Sequence, residues 1–161
     1  MSDAGEHPST PATRAAVEAG LSHEVRVIDR ARSAEQAADW LGIAPAGLLK
    51  TIVVRRGEDD HLFVLVPGPD RIDWPRLRAH LGVSRLSLPD ADTARQVTGY
   101  ERGTITPFGS RRALPVVAPA GLAGAGTVAI GAGQHGVFIL ADADGLLTAL
   151  DADLAEIATS G

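Results

Sequence analysis

The chain has 161 residues, of which 45% are apolar and 22% charged, with a formal net charge of −5 and no cysteine. That length suits one domain able to bury roughly 70% of its unfolded surface, and the lack of cysteine excludes disulfides, Cys-ligated zinc and a Cys nucleophile. The acidic balance argues against a broad nucleic-acid footprint, which is usually basic, and no apolar run reaches the roughly 18 residues of a membrane span.

Residues 1 to about 10 read as a loose tail, and 11–161 as a single domain. The N-terminal stretch MSDAGEHPSTPATR is polar and lacks an apolar h-region, so no signal peptide is expected and the cytoplasm is the expected location. A helix is predicted from Pro11 to Ala19, ending at Gly20. Glu24 to Ile28 alternates as a strand does. Ser33 with Gln36 three positions on signals a capped helix through Trp40 and Leu41, stopped by Gly42. Leu48 to Val54 and His61 to Val66 are strands apolar on both faces, which places them inside a covered sheet. The turn at 57–60 between them predicts a hairpin.

Asp73 caps a predicted helix through Leu81, with Pro75 in its first turn. Asp90 caps another through Val97, closed by Gly99. The stretch 99–109 is a structured loop rich in Gly, Pro and Thr. Leu114 to Ala118, Thr127 to Ile130 and Val137 to Ala141 are strands. Asp142 is expected to cap a short helix through Leu150, and Leu154 to Ala158 finishes the chain. Strands and helices are interspersed without strict βα alternation, and no repeat or interdomain linker is visible.

Residues 131–136, GAGQHG, match G-x-G-x-x-G. A dinucleotide site needs a helix after that motif, and Val137 to Leu140 reads as strand. A tight strand-to-strand loop is the better reading, with the pyrophosphate deprived of a helix N-terminus. His7, His23, His61, His80 and His135 show no metal-ligand spacing, so no metal is expected. His61 and His80 fall where exposed positions are expected. The Asp pairs lie at predicted helix starts, where they offset the dipole. No serine has a nucleophile-elbow context.

Lys50 is the only lysine among the fifteen Lys and Arg residues. On an extended strand it shares a face with Leu48, Ile52 and Val54. A buried, unpaired ammonium costs several kcal/mol, so an anionic partner or a pocket is expected beside it. The bland alternative is a lysine that snorkels at a strand end.

Three stretches together resemble the YbaK/EbsC family, free-standing relatives of the editing domain of bacterial prolyl-tRNA synthetase. They are Leu48-Leu49-Lys50-Thr51, Gly99-Tyr100 leading into Gly103-Thr104-Ile105-Thr106-Pro107-Phe108-Gly109 with its G-x-x-x-P loop, and Gly131-Ala132-Gly133-Gln134-His135-Gly136. The resemblance covers residues 10 to 158. Many members carry a second glycine where this chain has Thr104, and often a basic residue where it has His135.

The resemblance implies a mixed α/β (α+β) domain with a largely antiparallel, curved or barrel-like sheet covered by helices. It implies hydrolysis of the ester joining a wrong amino acid, cysteine or alanine on the proline tRNA, to the 3′-terminal adenosine. Such editing answers a physical limit, since one methylene in a pocket is worth only about 1–3 kcal/mol. Under this resemblance Lys50, Gly103, Thr104 and Pro107 are the catalytic candidates. Lys50 holds a phosphate or ribose oxygen, and the loop amides face the developing oxyanion. Thr51, Tyr100, Ile105, Thr106, Phe108, Gly131, Ala132, Gly133 and His135 line the substrate site. No cofactor is implied. The implied partner is the mischarged acceptor end, gripped by arginines among 55, 56, 71, 76, 78, 111 and 112, with prolyl-tRNA synthetase or an elongation factor as candidates for delivery. The competing reading is an inert module of the same fold that binds a nucleotide or aminoacyl-tRNA end without turnover.

Overall fold

The computed structural model describes residues 7–160, so residues 1–6 of the expected tail lie outside it. Helix α1 (Pro11–Glu18) opens on Thr10, whose hydroxyl accepts from the Thr13 amide while the Thr13 hydroxyl accepts from the Thr10 amide. Strand β1 (Glu24–Val27) leads to α2 (Ala34–Leu41), where the Ser33 hydroxyl accepts from the Gln36 amide at 3.0 Å. The Gln36 side chain reaches back one residue further than a capping box requires and accepts from the Arg32 amide at 2.7 Å. Helix α3 (Trp74–Leu81) starts at Asp73 and α4 (Ala91–Thr98) at Asp90, each with its carboxylate on the N3 amide, as the sequence predicts.

Strands β2 (Leu48–Gly57) and β3 (Asp60–Pro67) form the expected hairpin, running from Leu49↔Pro67 to Gly57↔Asp60. They occupy the middle of a seven-stranded sheet with β5 (Val116–Pro119), β6 (Thr127–Gly131), β7 (Val137–Asp142) and β8 (Asp153–Ala155). The strand order is β1-β7-β6-β2-β3-β5-β8. The long ladders, β2–β3, β6–β7 and β1–β7, are antiparallel. The shorter β2–β6, β3–β5 and β5–β8 contacts are parallel.

Burial on both faces explains the apolar composition of the central strands. Leu49, Val53, Phe63 and Leu65 pack with Tyr100, Phe108, Ile130, Ile139 and Leu146 of α5 (Ala143–Ala149). Val54, Leu62, Val64 and Val66 pack against Ile72, Leu77 and Ile157. Leu48 joins Ala129 and Leu140 under Ala37, Ala38 and Leu41 of α2.

Four expectations change. The single final segment at 154–158 is two strands in different sheets: β8 extends the main sheet, and β9 (Ala158–Ser160) pairs with β4 (Asp70–Ile72), which the sequence reading missed. Three-residue strands are too short for alternation to announce them. The predicted strand at 114–118 begins only at Val116 and runs on to Pro119. Asp142 stands at the start of α5 without a side-chain cap, and the Ala143 amide donates instead to Gly126 O at 2.7 Å. His61, expected at the surface, is buried at 4% exposure.

Candidate active site

A cavity of about 300 Å³ opens where three segments meet. They are the connection from β1 to α2 (28–33, with Ala37 behind it), the loop at 103–104, and the β6–β7 turn with the start of β7 (131–138). The first and third are joined by hydrogen bonding that prolongs the β1–β7 ladder, with the Ile28 amide donating to Gly136 O at 2.8 Å. The second meets the third through His135, since a Cβ on Gly103 would stand 3.4 Å from the His135 Cε1.

Tyr100 is the strut beneath both loops. It is 5% exposed, and its hydroxyl donates to Phe108 O at 2.6 Å, which closes the 100–108 loop on itself. Its ring lies against Gly133, where a Cβ would come within 2.5 Å of Cε1. Burial pushes the phenol up to about 12. Thr98 anchors the start of the loop, accepting from the Tyr100 amide at 3.1 Å while donating to Ala94 O.

Within 103–108 the polar groups divide. The Thr104 amide and hydroxyl both donate to Glu101 O, at 3.0 and 2.8 Å. This threonine therefore tightens its own turn, and its amide is not free for a ligand. Among the described residues the amides of Gly103, Ile105 and Thr106 donate to no protein acceptor. Gly103 is exposed at the cavity mouth. A free amide beside a cavity is a donor for a carbonyl oxygen that is gaining charge.

Of the residues expected at the site, Gly103, Thr104, Gly131 and His135 border the cavity. Tyr100, Ile105, Phe108 and Ala132 pack beneath it as part of the core. Thr106 is fully buried, with its hydroxyl accepting from the Phe108 amide at 3.4 Å. Pro107 stiffens that same loop and lies outside the cavity lining, as does Gly133. Thr51 is partly buried, and its hydroxyl oxygen has no partner among the described residues.

Lys50 departs from the expectation of a buried ammonium in a pocket. Its side chain is exposed, and Nζ donates to the main-chain oxygen of Asp70 at 2.9 Å. It is outside the lining of the cavity but close to it in register. The parallel pairs Leu48↔Ala129 and Leu49↔Ile130 bring Lys50 beside Gly131 at the next step. Gly131 borders the cavity.

The sequence reading missed the wall at 28–33. Asp29 and Arg30 are the charged residues there that border the cavity, and both are exposed. No motif marks them. They reach the site because the β1–β7 register carries them there.

Residues 29–149 match the aminoacyl-tRNA editing domain family. The chain belongs to that family. The matched segment holds Lys50 and every cavity-lining residue except Ile28. Among curated proteins, the chain is 25% identical over 127 residues to EbsC of Enterococcus faecalis, named as a candidate Cys-tRNA(Pro)/Cys-tRNA(Cys) deacylase. That alignment covers 79% of this chain and 77% of the relative. It is 33% identical over 78 residues to the proline–tRNA ligase of Pelotomaculum thermopropionicum, covering 48% of this chain and 14% of the ligase. Among solved structures, one described as a candidate trans-editing enzyme for prolyl tRNA synthetase superposes with a TM-score of 0.85. It covers 96% of this chain and all of that one at 24% identity, a likeness of fold. In this editing-domain fold the cavity is walled by the connection at 28–33, by Gly103 and Thr104 of the 99–109 loop, and by the β6–β7 turn with the start of β7.

Proposed function

We propose that this editing domain acts in trans as an aminoacyl-tRNA deacylase, releasing alanine or cysteine wrongly esterified to the 3′-terminal adenosine of the proline tRNA. The observation that carries the reading is the meeting of a family match over 29–149 with a cavity bounded by the G-x-x-x-P loop and the β6–β7 turn. A volume of about 300 Å³ suits a small aminoacyl group with part of its ribose. In the reaction, water adds to the ester carbonyl, the bond to the ribose oxygen breaks, and the products are the free amino acid and a ribose hydroxyl. The Gly103 amide, which donates to no protein acceptor among the described residues, is the donor assigned in this reading to the carbonyl oxygen as charge builds on it.

The residues expected at the site offer no obvious general base, so the domain contributes mainly position and electrostatics. A ribose hydroxyl of the substrate serves to activate the water. For a cysteinyl ester the substrate's own thiol is an alternative nucleophile: its sulfur bonds to the carbonyl carbon as the bond to the ribose oxygen breaks, the thiol proton ends on that oxygen, and cysteine leaves as a β-thiolactone that water then opens. Lys50 releases the Asp70 carbonyl, a neutral partner, for a phosphate or ribose oxygen of the terminal adenosine. A charge-assisted bond to phosphate is stronger than one to a neutral carbonyl.

The test is release of amino acid from proline tRNA charged separately with alanine, cysteine, serine and proline. Wild type releases one small amino acid, and Lys50→Ala loses the activity while keeping its unfolding midpoint. Full activity in Lys50→Ala removes the lysine from the mechanism. Binding of aminoacyl-tRNA without release from any substrate identifies the inert module, the reading that the committed Thr104 amide favours.

A further inference from the structure

Besides the backbone donors, the cavity wall carries Asp29, Arg30 and His135 as ionisable side chains. The Ser33 hydroxyl is occupied in capping α2. Asp29 is the one carboxylate of the described lining, and among the described residues it makes no ion pair. Its position follows from the ladder. The ladder closes at Val27↔Val137, a last bond runs from the Ile28 amide to Gly136 O in the β6–β7 turn, and the next residue, Asp29, borders the same cavity as His135 of that turn. His135 in turn lies against Gly103. Asp29 and the Gly103 amide, which donates to no protein acceptor among the described residues, therefore border one cavity.

An aminoacyl ester has spent its carboxyl group in the ester bond. The charge left on the backbone of the amino acid is its α-ammonium, which is protonated below a pH of about 7.7–8.0. A cationic group held next to the scissile carbonyl calls for a carboxylate, and Asp29 is the carboxylate the cavity has. From this we infer that Asp29 receives the substrate's α-ammonium, so the site selects esters with a free amino group and rejects N-acylated ones, peptidyl esters included. The inference rests on the deacylase reading and adds to it a residue and a rule of substrate choice. Nothing in the fold requires the carboxylate, since it is exposed and caps no helix.

The experiment compares alanyl- and cysteinyl-tRNA for proline with their Nα-acetyl derivatives, using wild type, Asp29→Asn and Asp29→Glu. Wild type should favour the free amine by roughly 10- to 100-fold in kcat/KM, the range expected of one charge-assisted hydrogen bond. Asp29→Asn should lose that factor on the free-amine ester and leave the acetylated ester unchanged, so that the ratio approaches one. Asp29→Glu should recover part of it. Equal loss on both esters means that Asp29 acts on the chemistry or the loop, which overturns the inference, as does an unchanged ratio. Wild type cleaving both esters equally overturns it too. Release from none of the four by wild type brings down the deacylase reading itself, and the inference with it.

Discussion

At the scale of single residues, His61 and Tyr100 show what burial does to polar groups. His61 is 4% exposed, and neither ring nitrogen has a partner among the described residues. An unmade hydrogen bond on a buried group costs about 1–3 kcal/mol. His61→Leu keeps most of the volume and removes that cost. We expect about 1 kcal/mol of added stability, read as a rise of about 2–4 °C in Tm. A lower Tm would mean that the nitrogens are satisfied or that leucine overpacks the site. Tyr100 is a satisfied counterpart whose cost appears only in alkali. Its phenol is raised from 10.0 to about 12 because burial disfavours the phenolate. Because the folded value lies above the unfolded one, its contribution is fully present below pH 10 and is lost as pH rises toward 12. Unfolding midpoints from pH 8 to pH 11 should therefore fall faster above pH 10 for wild type than for Tyr100→Phe. Parallel profiles would mean that the phenol is not desolvated in solution.

At the scale of elements, the two site loops depend on backbone proximity. Gly133 has φ +85, and a Cβ there would come 2.5 Å from the Tyr100 ring. Gly124 has φ +72 and nothing within 4 Å, so it isolates the conformational penalty. Gly124→Ala should cost about 1–2 kcal/mol, the left-handed penalty alone. Gly133→Ala should cost more and should also cut ester release, because Tyr100 must shift and carries the 100–108 loop with it. Equal costs with unchanged activity would show that Tyr100 yields freely. These loops were legible in the sequence because glycine and proline announce them. The helices were legible for a similar reason, since Ser33, Asp73 and Asp90 are caps with local chemistry. What stayed hidden depends on contacts between distant segments. The Asp29–Arg30 wall arises from β1–β7 register, β4 from pairing with a strand some ninety residues later, and the burial of His61 from packing around β3, whose Phe63 amide reaches Pro115 O.

At the scale of the whole molecule, a net charge of −5 must coexist with an RNA substrate under the deacylase reading. Under that reading the arginines are the expected local contacts, and they differ in how free they are. Arg56 is paired with Asp60, Arg112 with Asp59 and Arg76 with Asp73. The Arg56 guanidinium, hydrogen-bonded to the Asp60 carboxyl, holds it below the usual carboxylate range. Arg55 and Arg85 have no ion-pair partner among the described residues. With Arg56 they border a cleft with no carboxylate in its described lining. Arg85 was absent from the arginines first expected there, because it follows α3 and arrives through the Arg55–Ser87 bridge. Arg55 is five residues along β2 from Lys50, about 16 Å at the usual rise, and the odd offset turns its side chain to the opposite face, so an acceptor strand that touches both must pass around the end of the strand. Two phosphate contacts account for a slope of roughly one to two in log affinity against log salt. The Arg55→Ala, Arg85→Ala double variant should therefore lower kcat/KM on charged tRNA and flatten its salt dependence by about that amount. Cleavage of a short aminoacylated CCA fragment, which ends before the cleft, should be unchanged. If both substrates lose activity equally, the arginines support the fold rather than the RNA. If neither does, the acceptor strand leaves the cavity by another face.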